Sequence, residues 1–89
     1  PSKVRILSDF QQYDKASGTM LASGNAVIYY QNYVARGPKA TFKLKNNQVD
    51  KITFTGRASI TEDARTVTAD TIVITMNPKR FDAYGNVKT

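Results

Sequence analysis

The chain contains no histidine, no cysteine and no tryptophan among its 89 residues. Without histidine there is no imidazole base, which excludes the Ser-His-Asp and Cys-His schemes of nucleophilic catalysis. Without histidine and cysteine a zinc ion would find only carboxylate ligands, so no metal site is expected. The lack of cysteine also excludes a disulfide scaffold and thiol chemistry. We therefore expect a protein that is not an enzyme and that uses neither a metal nor a cofactor.

Long apolar runs are missing as well. No window approaches the roughly 18 apolar residues of a membrane-spanning helix, so we expect no transmembrane segment. The chain opens Pro1-Ser2-Lys3, without an initiator Met and without a signal peptide. We interpret it as a mature or trimmed product from which a targeting segment has been removed. The length predicts one small domain, spanning residues 1–89.

Acidic residues are scarce relative to basic ones. There are 13 Lys and Arg against 7 Asp and Glu, which gives a net charge of +6. Such an excess predicts an acidic partner, namely nucleic acid, an anionic membrane surface or an anionic glycolipid. The alternative is a basic protein whose charges only face solvent.

Residue usage favours β-strands over helices. Val, Ile, Thr, Tyr and Phe recur in short runs, and no stretch of a dozen residues keeps a helical apolar spacing. Turn signals interrupt these runs at Ser17-Gly18, Asn46-Asn47 and Glu62-Asp63, and Asp14 is expected to close another turn. This pattern predicts an all-β sandwich, roll or solenoid.

An internal repeat is built around three glycines. Gly24, Gly56 and Gly85 are 32 and 29 residues apart. Apolar or small residues lie two and four positions before each glycine and two after it, and the positions between them are mostly polar in the second and third copies. This alternation indicates strands with one buried face and one wet face, with each glycine placed where the strand bends or a side chain does not fit.

A second element repeats with the same spacing. Residues 6–9 (ILSD) match residues 67–70 (VTAD), and the Asp lies 15 residues before Gly24 in one copy and before Gly85 in the other. In the middle copy Gly37-Pro38 stands in place of Ala-Asp. The chain therefore contains a little over two units of roughly 30 residues, each of which needs stacked neighbours to bury its inner face.

These motifs resemble the OstA-like family of lipopolysaccharide-transport proteins, to which LptA, LptC and the N-terminal periplasmic domain of LptD belong, and the LptA branch most closely. Residues 4–9 (VRILSD) are similar to the opening strand of that family, and residues 24–28 (GNAVI) to its G-N-V strand. Residues 67–70 (VTAD) and 85–87 (GNV) repeat the two motifs later in the chain. The departures are Arg57 after Gly56, the middle Gly37-Pro38 and a length shorter than that of many members.

The resemblance implies an open β-jelly-roll, or β-taco, built from stacked repeats, whose apolar interior holds lipid acyl chains. It further implies a periplasmic protein that joins other OstA-like proteins end to end through terminal strands. The expected function is non-covalent binding and transport of lipopolysaccharide or a related anionic glycolipid in a bridge from inner to outer membrane. The alternative is a structural β-roll interaction module that assembles through its edge strands without lipid.

The apolar inner stripe is the expected lipid-binding site, although a plain packed core explains each residue equally simply. A groove of this kind needs no specific polar contact, because each buried methylene of an alkyl chain contributes about 0.8 kcal/mol. The predicted stripe consists of Val4, Ile6, Met20, Ala22, Ala26, Ile28, Ile52, Phe54, Ala58, Ile60, Val67, Ile72, Ile74 and Phe81. Nucleic-acid binding is disfavoured, because base-stacking aromatics lie on an exposed basic face whereas Phe54 and Phe81 fall on this stripe.

Three lysines are the expected contacts for a lipid headgroup. Lys39, Lys43 and Lys45 alternate with apolar residues that begin one position out of step, which predicts a β-bulge near Pro38. Lys and Arg make charge-assisted hydrogen bonds to phosphates, although a solvated surface is the simpler interpretation. Val27 and Tyr29 are expected on the outer face, and we predict that they are either covered or used for partner docking.

Overall fold

A computed structural model describes residues 4–76 and 78–89, and in these residues it contains β-strands and no helix. The opening Pro1-Ser2-Lys3 lies outside the described residues. The strands are β1 (Val4–Leu7), β2 (Phe10–Asp14), β3 (Thr19–Tyr30), β4 (Tyr33–Lys45), β5 (Gln48–Glu62), β6 (Arg65–Met76) and β7 (Lys79–Tyr84). The all-β class predicted from residue usage is confirmed.

All seven strands belong to one antiparallel sheet that does not close on itself. The order is β1-β3-β4-β5-β6-β7, and β2 pairs with β3 beyond the end of β1. Short turns join the long strands at the predicted Asn46-Asn47 and next to Glu62 at Asp63, where backbone φ angles are positive. The sheet therefore has two free edges, one formed by β1 and β2 and the other by β7 and the first residues of β6, where Thr68 bridges to Lys88.

A line of bulges crosses the sheet at the repeated motifs. The strand register shifts at Gly24-Asn25 in β3, at Gly37-Pro38 in β4 and at Gly56-Arg57 in β5. Because β-bulges bend strands and increase their twist, an aligned row of them forms a crease. The bulge predicted near Pro38 is confirmed, and it is one member of this row.

The crease divides the sheet into two halves. We call residues 4–7, 26–36 and 58–69 the β1 half, and residues 10–23, 39–55, 71–76 and 78–84 the β2 half. The halves meet at the crease, where Gly37 leaves room for an aromatic ring: a Cβ placed on Gly37 would lie 2.9 Å from Cδ2 of Phe54. They also meet at their far ends, where the rings of Tyr33 and Phe81 lie 4.7 Å apart between centroids.

The hydrophobic core lies between the two halves. Its buried members come from both sides of the crease and share one face of the sheet, and they are Ala22, Ala26, Ile28, Ala35, Ala40, Phe42, Ile52, Phe54, Ala58, Ala69, Ile72 and Ile74. Since the described residues form one sheet with turns, only the other half of that sheet can cover each apolar face. The alternation of apolar and polar residues thus makes a folded sheet with a buried interior and a polar exterior.

Candidate functional site

Strand pairing places every residue of the predicted inner stripe on the inner face. Ala22, Ala40, Phe54 and Ile72 face one another across β3, β4, β5 and β6. In the β1 half, Ile6 pairs with Ile28, and Ile60 pairs with Val67. The stripe is therefore continuous across the sheet on both sides of the crease.

Burial along this stripe falls from the centre to the margins. Phe42, Phe54, Ile28, Ile52 and Ile72 are fully buried, so the two halves pack directly on each other at the centre. The margins are half-buried, and their apolar members are Val4, Ile6, Met20, Val49, Ile60, Met76 and Ala83. A ligand can reach the margins of the stripe as the molecule stands, and it can reach the centre only if the halves separate.

One margin of the stripe opens beside the β2–β3 hairpin. An open depression of about 520 Å³ lies there, and its lining includes Tyr13 and Met20 of the inner face together with Leu21 and Thr41 of the outer face. Tyr13 pairs with Met20, so both side chains lie on the inner face. The depression therefore includes residues of both faces of the sheet, and it borders the apolar stripe at Met20.

The opposite margin is closed by a contact between the two halves, which we call the clasp. It consists of Tyr30, Gln31 and Tyr33 from the β1 half and Lys79 and Phe81 from the β2 half. The Lys79 ammonium lies 4.2 Å from the ring centre of Tyr33 and within 6 Å of the ring centres of Tyr30 (5.6 Å) and Phe81 (5.8 Å). It also donates a 3.0 Å hydrogen bond to Oε1 of Gln31.

The clasp residues all lie at inner-face positions of the sheet, except for the turn residue Gln31. Tyr30 pairs with Tyr33, two residues beyond the buried Ile28 on the same strand. Lys79 pairs with Met76, and Phe81 pairs with the buried Ile74. A cation and three aromatic rings thus stand at the lip of the apolar interior.

Sequence reasoning included Phe81 in the stripe but missed the other members of the clasp. The sequence analysis assigned neither Lys79 nor Tyr30 nor Tyr33 to a site. The alternation of side chains along a strand could have indicated one member, because Lys79 lies two residues before Phe81 and therefore on the same face of the strand. The meeting of β7 with the β3–β4 turn is a contact between distant parts of the sheet, which residue spacing alone does not indicate.

The lysines proposed for headgroup contact lie on the outer face. Lys39, Lys43 and Lys45 are exposed, and the residues between them, Ala40 and Phe42, are buried. Their ammonium groups therefore lie on the side of the sheet away from the apolar interior. Their role in headgroup binding stays a prediction, and any headgroup that they bind lies outside the fold.

Lys43 and Lys51 form a second cationic feature of the outer face. They lie directly opposite each other on β4 and β5. The ion pair found in the described part of the chain joins Arg80 to Asp82 at 3.1 Å, so it leaves this lysine pair uncompensated. Like charges at opposed positions in a sheet are mutually destabilising.

Val27 and Tyr29 lie on the outer face, as predicted. Val27 is half-buried and pairs with Leu7 on β1, and Tyr29 is exposed and pairs with Val34 on β4. Neighbouring apolar side chains therefore cover Val27 in part and leave Tyr29 exposed. Partner docking at this surface stays a prediction.

The two aspartates of the repeated motif bind structurally equivalent partners. The backbone N–H groups of Asp9 and Asp70 donate 2.8 Å hydrogen bonds to the carbonyl oxygens of Gly24 and Gly85. Their carboxylates accept hydrogen bonds from the side-chain amides of Asn25 (3.3 Å) and Asn86 (2.9 Å). These carboxylate–amide pairs tie neighbouring strands together at the crease.

The described residues contain neither a cluster of metal ligands nor a membrane-spanning helix. No group of three or more His, Cys, Asp or Glu side chains is placed to hold a metal ion in residues 4–76 and 78–89. The same residues contain no helix long and apolar enough to cross a membrane.

Comparison with known proteins gives structural likeness without a sequence match. No protein-family model matches the chain, and no curated protein matches it. Among solved structures the chain is similar to LptH of Pseudomonas aeruginosa, described as the LptA homologous periplasmic component of the conserved lipopolysaccharide transport device. The likeness covers 93% of this chain and 82% of that chain, with 14% sequence identity and a TM-score of 0.49.

Proposed function

We propose that this chain binds lipopolysaccharide or a related anionic glycolipid non-covalently and carries it across the periplasm as one module of a bridge between the inner and outer membranes. The observation that carries the proposal is the continuous apolar stripe between two halves of an unclosed sheet. Such a sheet can take up an acyl chain by separating its halves, without breaking the pairing of its strands.

The energetics of an acyl chain fit this interior. An alkyl chain with about ten methylenes contributes roughly 8 kcal/mol when it is fully buried, without any specific polar contact. This gain opposes the cost of partly separating the two halves. The half-buried margins at Met20, Ile60 and Val67 are the first surfaces that an entering chain would contact.

The repeated sequence motifs also support the proposal. The strand motifs at residues 4–9, 24–28, 67–70 and 85–87 resemble those of the OstA-like family, and in the fold they meet at one crease. The structural likeness to LptH is too low to add to this support. A periplasmic location and end-to-end assembly with other OstA-like proteins belong to the same proposal, with the free edges at β1, β2 and β7 as the pairing surfaces.

Site-specific photo-crosslinking to purified lipopolysaccharide tests the proposal. We expect a photoreactive residue at Ile60 or Met20, on the half-buried margins of the inner face, to capture lipid. The matched controls are Thr61 on the same strand as Ile60, and the exposed Thr55 on the outer face of β5. Crosslinks that come only from the two control positions would contradict lipid binding between the halves.

One observation favours a second function, a structural module that assembles through its edge strands without lipid. The centre of the inner face is fully packed by its own side chains, among them Phe42 and Phe54. Exposed aromatic residues lie along the free edges, at Phe10 on β2 and Tyr84 on β7. Native mass spectrometry separates the two functions: oligomers that take up no lipopolysaccharide support the structural module, and a lipid-bound chain supports transport.

A further inference from the structure

We propose that Lys79 binds the anionic headgroup of an amphiphile whose acyl chain lies between the two halves, and that the clasp around it is the latch that this headgroup releases. This inference rests on the proposed lipid binding and names the headgroup contact within it. It assigns that contact to the lip of the interior, whereas Lys39, Lys43 and Lys45 lie on the outer face.

The position of Lys79 is the first part of the argument. It lies at an inner-face position of β7, two residues before Phe81 and opposite Met76 of β6. Its ammonium group stands among the rings of the clasp at the end of the apolar stripe. A headgroup attached to an acyl chain between the halves would emerge at this lip, within reach of this ammonium group.

The contacts of Lys79 are the second part of the argument. The ammonium group is held by aromatic faces and by the neutral amide oxygen of Gln31. The one ion pair of the described residues, Arg80–Asp82, does not involve it. A cation–π contact at an exposed site is weak, whereas a phosphate makes charge-assisted hydrogen bonds to lysine. A phosphate headgroup therefore outcompetes the contacts that Lys79 makes in the closed molecule.

Release of Lys79 has a consequence for the whole lip. The ammonium group bridges the two halves, because Tyr30, Gln31 and Tyr33 belong to one half and Lys79 and Phe81 to the other. With Lys79 drawn to a headgroup, the halves lose the contacts of its ammonium group at this margin and keep the contact between the Tyr33 and Phe81 rings. Headgroup binding and opening of the lip are then one coupled event, since the ligand binds the open state better than the closed state.

The first experiment compares two short lipids with the same acyl chains, dioctanoyl phosphatidic acid and uncharged dioctanoylglycerol. We expect the wild-type chain to bind the phosphate lipid roughly tenfold more tightly, the scale of one charge-assisted hydrogen bond. Lys79→Met keeps an unbranched apolar stem and removes the charge, so this preference should disappear. Lys79→Arg should retain it, and Lys43→Met, on the outer face, is the matched control that should leave it unchanged.

The outcomes of this experiment separate the two proposals. If Lys79→Met keeps the preference, or if Lys43→Met loses as much of it, the assignment of Lys79 is wrong while lipid binding stands. If the wild-type chain binds neither lipid, the proposed function itself fails. Inorganic phosphate is the third ligand: saturable binding of free phosphate at Lys79 with the lipid preference absent would show an anion site unrelated to lipid.

The second experiment tests the latch itself and uses the absence of native cysteine. In the double variant Tyr33→Cys and Phe81→Cys, a short reducible crosslinker joins the two halves across the lip. We expect the crosslinked chain to take up dioctanoyl phosphatidic acid much more slowly, and cleavage of the crosslinker to restore uptake in the same sample. Equal uptake before and after cleavage would overturn the latch, and recovery after cleavage shows that the variant is folded.

Discussion

At the scale of single residues, the crease shows how one structural role is filled by two different residue sets. In the first and last copies of the repeat, an Asp carboxylate accepts a hydrogen bond from an Asn that follows a glycine. In the middle copy, Pro38 takes the place of the Asp beside Gly56, and Arg57 takes the place of the Asn. The Asp acceptor and the Asn donor are thus both replaced in the middle copy, so neither of them is present there without the other.

Gly24 in the crease and Gly18 in the β2–β3 turn differ in how much space surrounds them, and this difference gives a stability prediction. Gly24 has a φ of +80° and Gly18 a φ of +69°, so alanine is strained at both positions. A Cβ on Gly24 would lie 2.6 Å from Oδ2 and 2.7 Å from Cβ of Asp9, whereas a Cβ on Gly18 meets nothing closer than 3.7 Å. Rotation of Asp9 cannot relieve the contact with its own Cβ.

We therefore expect Gly24→Ala to destabilise the fold clearly more than Gly18→Ala. Gly18→Ala should cost about 1–2 kcal/mol, the penalty of a left-handed backbone. Gly24→Ala should cost a further 1–3 kcal/mol or so from overpacking against Asp9. The measurement is the urea midpoint at an unchanged m-value. Equal losses in the two variants would mean that Asp9 does not lie against Gly24 in solution.

At the scale of strands, the sequence predicts which residues face the interior, but it does not predict which distant strands come into contact. Alternation around Gly24, Gly56 and Gly85 identified the inner face correctly, because the side-chain period of a strand is two residues. The apolar alternation that follows Gly37 is shifted by one residue, and this shift correctly indicated the bulge near Pro38. The opposed lysines of β4 and β5 were not foreseen, because their pairing depends on the register of the hairpin, which a second irregularity next to Lys43 shifts.

This lysine pair makes a prediction about β4 and β5. We expect Lys51→Glu to stabilise the fold by about 0.2–1 kcal/mol, because it replaces a repulsion with Lys43 by an attraction. Lys51→Gln removes only the repulsion and is the matched control, so its gain should be smaller. Urea unfolding at low and at high salt is the measurement, and the difference between the variants should shrink at high salt. A Glu variant that gains no more than the Gln variant at low salt would contradict the register.

At the scale of the whole molecule, the sequence predicted an open all-β fold but not how nearly closed its interior is. The sequence pattern of the apolar stripe is the same for a groove and for a packed core, because a groove and a core place the same side chains on the inner face. The structure shows both: Phe42 and Phe54 fill the centre, while Met20 and Ile60 stay half-exposed at the margins. Packing between the halves is tertiary, so it depends on how far the aligned bulges fold the sheet over.

A ligand that enters such a molecule should stabilise the fold as a whole and loosen it locally. Binding to the folded state raises the melting temperature by mass action. Opening of the clasp, however, removes contacts from β7 and from the β3–β4 turn, whose amide hydrogens should then exchange more easily.

We expect dioctanoyl phosphatidic acid to raise the melting temperature while it speeds hydrogen exchange in residues 79–84 and 30–33. The central strands β4 and β5 should become better protected in the same sample. Slower exchange everywhere, including β7, would mean that the lipid binds without releasing the clasp.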